Sequence, residues 1–431
     1  MTVNPYPEYR ASGTAWLGDV PSEWAVQRLK NGFDLMKRPV LAADGNVTAF
    51  RDGQVTLRSN RRIDGFTEAD KEIGYQGIEP KDLVIHAMDA FAGAIGVSDS
   101  RGKSTPVYSV CRARAGYDPR YYALTLRHIA LSGYIASLGK GVRERSTDFR
   151  WTDAKSVLVP VPSVEEQEAI LSYLDTHTAK IDTLIGKQER LIETLTERRQ
   201  AVISHAVTKG LDPNVPMKDS GYEWVGRVPE LWSIKRISWL FSLVGSGTTP
   251  PSDEERYYGM GTPWVTTGEL REGTITETAK SVTQAATSNF PTLRVYEPGT
   301  LLIAMYGATI GRLAVLGVPA CTNQACCAMS MPVDVLTRFA FYSLLAAREH
   351  ILVLAVGGGQ PNINQEMLRA LRLPTPPMSE QEAIVEFLDR ETNQIDVLSA
   401  KAGEMIDVLK ERRQALISAA VTGKIDVRGL V

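Results

Sequence analysis

A nearly identical stretch of twelve residues occurs twice in the chain, and this repetition constrains the fold more than any other feature. ERRQAVISHAVT occupies residues 197–208 and ERRQALISAAVT occupies residues 411–422, an offset of 214 positions (411 − 197). At the same offset, EEQEAILSYLD (165–175) matches SEQEAIVEFLD (379–389). Self-similarity at a fixed offset indicates that one structural unit is present twice.

A second repeated block lies near the beginning of each copy. WLGDVPSEWAVQRL (16–29) returns as WVGRVPELWSIKRI (224–237), at an offset of 208. Each copy therefore has a junction, a variable segment and a helical segment, and we predict an α+β fold with an internal pseudo-twofold repeat. The predicted parts are a lead-in with a first mixed α/β head (1–157), a first spacer helix (158–210), a lead-in with a second head (211–371), and a second spacer helix with a tail (372–431).

The two helical segments carry an apolar seam, spaced by threes, fours and sevens, that is typical of a coiled coil. The seam residues are Ile170, Leu174, Ile181, Leu184, Leu191, Leu195 and Val202 in the first copy, and Ile384, Leu388, Ile395, Leu398, Met405, Leu409 and Leu416 in the second. Each segment ends beside a glycine, Gly210 or Gly423, as a helix C-cap predicts. Because one apolar stripe needs a partner, we predict that the two long helices pair in an antiparallel coiled coil.

The variable segments have short apolar runs separated by glycine-containing turns, which predicts strands. Examples are LVIHAM (83–88) and LLIAMY (301–306), and helices are predicted at 118–134 and 335–350. Outside the repeated blocks, the sequences of the two variable segments have little in common. Two equivalent scaffolds that carry unlike heads suit a protein that reads two different sites.

Composition limits the class of protein. The chain has 431 residues, which favours more than one domain, and 48 Lys and Arg against 50 Asp and Glu give a net charge of −2, so no broad basic surface is expected. Four cysteines without metal-ligand spacing favour a reducing compartment. No secretory signal and no apolar run of about 20 residues is found, so we expect a cytoplasmic protein without membrane contact.

Motifs of nucleotide and methyl-transfer chemistry are not found in the sequence. The two Pro-Pro pairs, in TPPS (249–252) and TPPM (375–378), lack the Asp/Asn-Pro-Pro-Tyr/Phe pattern of an adenine methylase. The segment VSDSRGKS (97–104) has valine where a phosphate-binding loop needs its first glycine. We therefore predict that the chain has no catalytic and no metal site of its own.

Several motifs give the chain a resemblance to a known family. They are the SEQEAI helix entries, ERRQALISAAVTGKID (411–426), SGYEWVGRVPELWSIKRI (220–237), TPWVTTGEL (262–270), LLIAMYGATIGRLAVL (301–316), TNQA (322–325) and GGGQPNINQEML (357–368). The chain resembles, over nearly its whole length, the DNA-specificity subunit of type I restriction-modification enzymes. The first head departs from the pattern, with LGKGVRERSTDF (138–149) where the second has VGGGQPNINQEM.

The resemblance implies a subunit that is not itself an enzyme. Its two target-recognition domains would each read one half of a bipartite sequence in double-stranded DNA, and the helical spacer would set the gap between the halves. Two methylase subunits would dock on the spacer and methylate adenine with S-adenosylmethionine. Restriction subunits would add ATP- and Mg-dependent translocation and cleavage, so these cofactors would be bound by partners and none by this chain.

Candidate DNA-binding residues are basic and amide side chains near turns, because Arg, Asn and Gln can pair with base edges and phosphates. They are Arg51, Arg58, Arg61, Arg62, Lys103, Arg143 and Arg145 in the first head, and Thr248, Thr249, Tyr306, Thr309, Arg312, Gln360 and Asn362 in the second. For each group an alternative stays open. Glycine-rich turns can serve the fold, arginine groups can be a solvated face, and Gln or Asn can cap turns.

Charged and amide residues that recur in both helices are candidates for the docking of a partner. They are Gln167, Glu168, Arg198, Arg199, Gln381, Glu382, Arg412 and Arg413. The twin arginines have two alternatives, contact with DNA or ion pairs beside the seam. For the whole chain, two other functions stay open: a coiled-coil scaffold with two heads that do not bind DNA, and the recognition part of a fused restriction-methylation enzyme.

Overall fold

The computed structural model describes residues 5–61, 72–138, 148–355 and 362–430. The chain forms two compact units, one of residues 1–189 and 403–431 and one of residues 190–402. Within the described ranges, no helix is both long enough and apolar enough to cross a membrane.

The first unit contains a small mixed α/β head and parts of two long helices. Its elements are β1 (Tyr9–Ala11), β2 (Asp19–Pro21), β3 (Ala25–Arg28), β4 (Phe33–Leu35), β5 (Val47–Ala49), β6 (Val55–Leu57), β7 (Gln76–Ile78), β8 (Leu83–His86), β9 (Ile95–Val97), β10 (Gly102–Ser104), β11 (Tyr108–Ala113), α1 (Pro119–Leu131), α2 (Tyr134–Leu138), α3 (Trp151–Ala154) and β12 (Leu158–Val161). The first long helix, α4 (Val164–Lys209), begins in this unit.

The second unit has a larger head. Its elements are β13 (Met217–Asp219), β14 (Arg227–Pro229), β15 (Ser233–Arg236), α5 (Ile237–Leu240), β16 (Phe241–Ser246), β17 (Tyr258–Val265), β18 (Thr274–Ile275), β19 (Ser281–Val282), α6 (Gln284–Asn289), β20 (Leu301–Ala304), β21 (Leu313–Leu316), β22 (Cys321–Thr322), β23 (Cys326–Pro332), α7 (Thr337–Ala346), α8 (Arg348–Leu354), α9 (Gln365–Ala370) and β24 (Arg372–Thr375). The second long helix, α10 (Met378–Val421), begins in this unit.

Each head is built around a sheet whose inner strand is covered on both faces. The order is β4-β11-β8-β9 in the first unit and β16-β23-β20-β21-β18 in the second. Along β8, Leu83 and Ile85 lie in one core cluster and Val84 in another, because successive strand residues point to opposite faces. The uninterrupted apolar runs that predicted these strands thus reflect burial on both sides.

The same strand pairing joins each head to its long helix. β3 pairs antiparallel with β12 in the first unit, and β15 pairs antiparallel with β24 in the second. Because β12 and β24 come directly before α4 and α10, each pairing fixes where a long helix starts. The repeated sequence blocks at 16–29 and 224–237 contain β3 and β15. We call these paired strands, together with the helix starts that follow them, the frame.

The long helices end where the sequence predicts. Gly210 and Gly423 have left-handed φ angles of 77° and 71°, a conformation that glycine adopts without a steric penalty. The start of α4 shares a core cluster with the end of α10 in the first unit, through residues such as Leu174 and Ile417. In the second unit, Ile203 and Ile384 share another cluster.

Part of the predicted seam is wrong by one residue. Leu184, Leu191, Leu398 and Met405 are 43–50% exposed. The buried and half-buried positions in the middle of the helices, spaced by four and three, are Ile181, Ile185, Gln188, Ile192 and Leu195 in α4, and Ile395, Ser399, Ala402, Ile406 and Leu409 in α10. Each exposed residue directly precedes the residue that is turned inward. Apolar character alone therefore did not identify which of two consecutive residues is buried.

Two buried glutamines hold the heads on the long helices. Gln167 is 1% exposed, accepts from the Asp118 amide at 2.8 Å, and donates to the carbonyls of Gly116 and Pro162 at 3.0 Å. Gln381 is fully buried and makes the same three kinds of bond, to the Leu336 amide and to the carbonyls of two further residues. The prediction that these two side chains dock a partner is wrong, because both lie inside and are fully hydrogen-bonded.

Candidate nucleic-acid interface

Three distant segments of the second unit meet at one end of β20. The amide of Met305 donates to the carbonyl of Ala325 at 2.8 Å, and the amide of Ile363 donates to the carbonyl of Met305 at 3.0 Å. Tyr306 and Asn362 then face each other across an isolated antiparallel bridge. We name the residues around this junction the second recognition face; they are Thr249, Tyr306, Thr309, Arg312, Gln324 and Asn362.

Glycines make the turns of this face possible. Gly307 and Gly311 have φ angles of 65° and 74°, and between them the Thr309 hydroxyl donates to the Tyr306 carbonyl at 3.0 Å. At Gly247, a Cβ would stand 1.7 Å from the Thr322 carbonyl oxygen, so only glycine permits the approach. The glycines therefore serve the fold directly, and the approach at Gly247 positions the Thr248–Thr249 loop.

The second recognition face presents neutral polar groups and one cation, Arg312. The Thr249 hydroxyl donates to Gln324 Oε1 at 2.5 Å, and Tyr306 is 42% exposed. Arg312 and Asn362 are also exposed. Hydroxyl, amide and guanidinium groups are those that read base edges in a DNA groove. Thr248 differs, since it is half-buried and its carbonyl accepts from Trp264 Nε1 at 3.2 Å.

The first unit builds the same junction with other side chains. The amide of Phe149 donates to the carbonyl of Ala87 at 3.1 Å, which places Met88 and Asp148 where the second unit has Tyr306 and Asn362. Met88 is 50% exposed, and the Asp148 side chain is 64% exposed. Asp148 accepts from Arg150 Nε at 2.7 Å.

An open cavity of about 660 Å³ lies beside this junction in the first unit. Lys37, Tyr75, Arg150 and Trp151 are among the residues that line it. We name Lys37, Met88, Asp148, Arg150 and Trp151 the first recognition face. Sequence reasoning missed these residues and also Gln324, although the offset of 214 between Asp148 and Asn362 is a signal that could have found one of them.

The structure places the predicted basic residues of the first head against acceptors of their own chain. Arg51 pairs with Asp89 at 2.8 Å and Arg61 pairs with Asp52 at 2.7 Å. Lys103 is 16% exposed and pairs with Glu72 at 2.5 Å, while Arg58 Nε donates to the Thr48 hydroxyl at 3.0 Å. Arg62, Arg143, Arg145 and Gln360 lie outside the described residues.

The recurring residues of the long helices separate into two sets. Glu168, Arg198, Glu382 and Arg412 are exposed. The second arginine of each pair instead forms an ion pair within its own unit: Arg413 with Asp182 at 3.0 Å, and Arg199 with Asp396 at 3.3 Å. The ion-pair alternative thus describes Arg199 and Arg413, and the exposed set keeps the docking prediction.

Chemistry within the chain is limited. All four cysteines are buried and unpaired, and burial raises the pKa of Cys321 to about 11 and that of Cys326 and Cys327 to about 12. Thiols with such pKa values are protonated at neutral pH and poor nucleophiles. In the described part of the chain, no cluster of three or more His, Cys, Asp or Glu residues could hold a metal ion.

Comparison with known proteins agrees with this architecture. Residues 229–404 match the family model described as the type I restriction modification DNA specificity domain. The chain is 23% identical to the type I restriction enzyme MjaVIII specificity subunit of Methanocaldococcus jannaschii, over 95% of both chains.

Two solved structures share the fold. One comes from work on complex assembly and conformational transition of the type I R-M system, with a TM-score of 0.72 and 16% identity over 93% of this chain and 98% of that one. The HsdS subunit of Thermoanaerobacter tengcongensis has a TM-score of 0.52 and 17% identity, over 94% of this chain and 98% of its own. Over nearly its whole length the chain is thus similar to type I restriction enzyme specificity subunits, and its second unit contains the match to their DNA specificity domain.

Proposed function

We propose that the chain is a type I restriction-modification specificity subunit and that each of its units reads one half of a bipartite sequence in double-stranded DNA. One observation carries the proposal: at matching backbone positions, the two units expose unlike side chains. Met88 and Asp148 occupy in the first unit the positions that Tyr306 and Asn362 occupy in the second. A shared frame with different exposed groups is what recognition of two unlike half-sites requires.

The chemistry of the two faces predicts different preferences. A carboxylate such as that of Asp148 can accept from the N4 amino group of cytosine, whereas the amide of Asn362 can pair with adenine in the major groove. Met88 offers an apolar surface to a thymine methyl group. Lys37, Arg150 and Arg312 supply cations for phosphates, which position the protein without selecting a sequence.

Each unit also offers a surface for one copy of the same partner. In the first unit Leu184 and Met405 are 45% and 48% exposed; in the second, Leu191 and Leu398 are 43% and 50% exposed. Since Leu398 lies 214 positions after Leu184 and Met405 lies 214 after Leu191, the two sets match. Exposed apolar residues at repeated positions suit the docking of two identical methylase subunits.

Under this proposal the chain contributes specificity and its partners contribute chemistry. The methylase subunits bind S-adenosylmethionine, and restriction subunits use ATP and Mg for translocation and cleavage. The long helices set the gap between the half-sites, which we expect to be about one turn of DNA or a small multiple. Deletion of one heptad from both helices should shorten the preferred gap, and an unchanged gap would contradict the role of the helices as a spacer.

Selection from a random duplex library, with the methylase partner present, tests the recognition proposal. The wild type should enrich a split motif, Asp148→Asn should relax or change only one half of it, and Asn362→Ala should change only the other half. Each variant is the control for the other. A continuous motif, or a change of both halves by either variant, would contradict two independent reading units.

Two further outcomes distinguish the alternative functions. Enrichment of no sequence, with or without the methylase, would favour a scaffold whose heads do not bind DNA. Methylation or cleavage of DNA by the purified chain alone would favour a fused enzyme.

Docking can be tested by the stoichiometry of the complex. Leu184→Glu and Leu398→Glu should each reduce the number of bound methylase subunits from two to one, because each places a charge on only one of the matched surfaces. Thr176→Glu, at an exposed polar position of the same helix, is the control. Native mass spectrometry would measure the ratio, and two bound subunits in both leucine variants would contradict the assignment.

A further inference from the structure

Arg127 is a half-buried cation whose hydrogen bonds in the described structure go to backbone carbonyls. It lies on α1, and its Nη1 donates to the carbonyls of Arg51, at 3.1 Å, and Gly93. Among the residues that the structure describes, no carboxylate forms an ion pair with it. Burial, with the nearby Arg413 adding to it, lowers the pKa of the Arg127 guanidinium despite the opposing effect of Asp52. A desolvated charge without a counter-ion is costly, so the surroundings of Arg127 favour an anion.

A cavity of about 290 Å³ opens beside Arg127, between α1 and the two long helices of the first unit. Its lining includes Asp52, Arg120, Arg127, Asp175, Arg413 and Gln414. A volume near 300 Å³ is at the lower end of the range for small-molecule sites.

The two acidic residues that line this cavity, Asp52 and Asp175, already have arginine partners, and the lining residue Arg413 already has a carboxylate partner. Asp52 pairs with Arg61 at 2.7 Å, Asp175 accepts from Arg120 at 2.7 and 2.8 Å, and Asp182 pairs with Arg413 at 3.0 Å. Among the described residues, these pairs and Arg127 together comprise four arginines and three carboxylates, and Arg127 is the arginine that has no ion pair.

The second unit has a carboxylate at the corresponding place. Glu272 lies 2.5 Å from Arg348 and 3.7 Å from Arg199, the residue that matches Arg413 in the repeat. Arg348 lies against Gly311 as Arg127 lies against Gly93. Glu272 has a φ of 61°, which is unfavourable for a residue with a side chain, so the surrounding structure holds its carboxylate between the two arginines.

We propose that the cavity of the first unit binds a phosphate group, which takes the place that the Glu272 carboxylate has in the second unit. The planar guanidinium groups of Arg127 and Arg413 can each donate two hydrogen bonds to phosphate oxygens. The phosphate belongs either to the DNA backbone or to a small phosphate compound. The site does not depend on the proposed function, because it rests on the charge balance within one unit.

Titration of the full chain with inorganic phosphate at constant ionic strength tests the site. We expect saturable binding of one phosphate by calorimetry, with a Kd of about 1 mM or lower. Arg127→Gln should weaken binding roughly tenfold or more, because it removes a charge-assisted donor. Lack of saturable binding by the wild type, or wild-type binding by this variant, would overturn the proposal.

A variant that supplies an internal anion gives a test that leaves Arg127 in place. Gln414→Glu puts a carboxylate on the lining of the cavity and should abolish phosphate binding. Gln200→Glu, the matching position of the second unit, is the control and should leave it unchanged. Conversely, Glu272→Gln removes the carboxylate between Arg199 and Arg348 and should raise the stoichiometry from one phosphate to two. Equal phosphate binding by wild type and Gln414→Glu would overturn the proposal.

A salt series with duplex DNA identifies the source of the phosphate. If the site holds a backbone phosphate, Gln414→Glu should lower the slope of log affinity against log salt by about one. If the slope is unchanged while phosphate binding is lost, the occupant is a small phosphate compound. Since phosphate binding is measured without DNA, its failure is distinguishable from a failure of DNA recognition.

Discussion

The two units of this protein agree at the buried base of each head and differ at the exposed recognition faces. In the first, Trp24 Nε1 donates to Glu166 at 2.8 Å; in the second, Trp232 Nε1 donates to Glu380 at 2.9 Å. The paired strands at the base of each head also match. The recognition faces, in contrast, carry an apolar and an acidic residue in one unit and a phenol and an amide in the other.

This difference follows from the free-energy cost of burying a polar group that has no hydrogen-bond partner. A buried donor or acceptor that loses its partner costs about 1 to 3 kcal/mol, so the frame permits few substitutions. An exposed side chain away from such contacts changes stability by about 0.5 kcal/mol or less. The heads are therefore free to diverge in sequence while the frame stays the same.

The largest expected effect is at the buried glutamines of the frame. Gln167→Ala and Gln381→Ala should each destabilise the protein by about 3 to 5 kcal/mol, because each leaves three backbone groups without a partner. Urea unfolding monitored by tryptophan fluorescence would measure the loss. Glu168→Ala, at the exposed neighbouring position, is the control. A loss below about 1 kcal/mol in either unit would show that the two frames are not equivalent.

The paired arginines should differ between the units. Arg199 contacts two carboxylates and its side chain is 23% exposed, whereas Arg413 contacts one and is 39% exposed. Arg199→Gln should therefore cost about 1 to 2 kcal/mol, and Arg413→Gln about 0.5 kcal/mol. The same unfolding experiment measures both, and equal losses would contradict the asymmetry of the charge balance.

Two half-buried histidines should make the first unit sensitive to pH. Burial lowers the pKa of His128 and of His86 below the ordinary value of 6.5. As the pH falls through about 6.5 the unfolded chain takes up protons first, so stability present above that pH is lost below it, by on the order of 1 kcal/mol for each unit of pKa difference.

A substitution at one of these histidines would check the effect. His128→Gln should reduce the loss of stability between pH 7.5 and 5.5, measured as the shift of the urea midpoint of unfolding. An identical shift in the variant and the wild type would exclude His128 as a source.

A small effect of the opposite sign, a stabilisation, is expected in the middle of α4. Gly186 stands where the second repeat has Ala400, and a Cβ at Gly186 would meet no atom within 4 Å. Gly186→Ala should stabilise the protein by about 0.5 to 1 kcal/mol, because alanine loses less backbone entropy in a helix. A decrease in the thermal unfolding midpoint would indicate a role for the glycine other than helix formation.

Much of the fold could be predicted from the sequence because it depends on local patterns. The offsets of 208 and 214 revealed the repeated frame, and the glycines at 210 and 423 stand just beyond the ends of the long helices. The apolar runs at Leu83 and Leu301 became the inner strands of the two sheets. Periodicity, turn residues and self-similarity can all be read from residue types along the chain, without knowledge of which distant segments are in contact.

The recognition faces were less predictable because contacts between distant segments build them. Asp148 is brought to Met88 because the amide of the next residue, Phe149, donates to the carbonyl of Ala87. In the second unit, the equivalent bond from Ile363 to Met305 brings Asn362 to Tyr306. The predicted arginines of the first head had the right chemistry for DNA, but acidic residues elsewhere in the fold pair with Arg51 and Arg61.

The sequence by itself determined that this protein is built twice on one frame, where long helices lie, and which segments differ between the copies. Only the tertiary structure decided that Ile185 rather than Leu184 is turned inward, that Gln167 and Gln381 are buried, and that Glu272 forms ion pairs with Arg348 and Arg199. The reason is physical: a residue's type limits the environments it can occupy, but the packing of distant segments determines which environment it has.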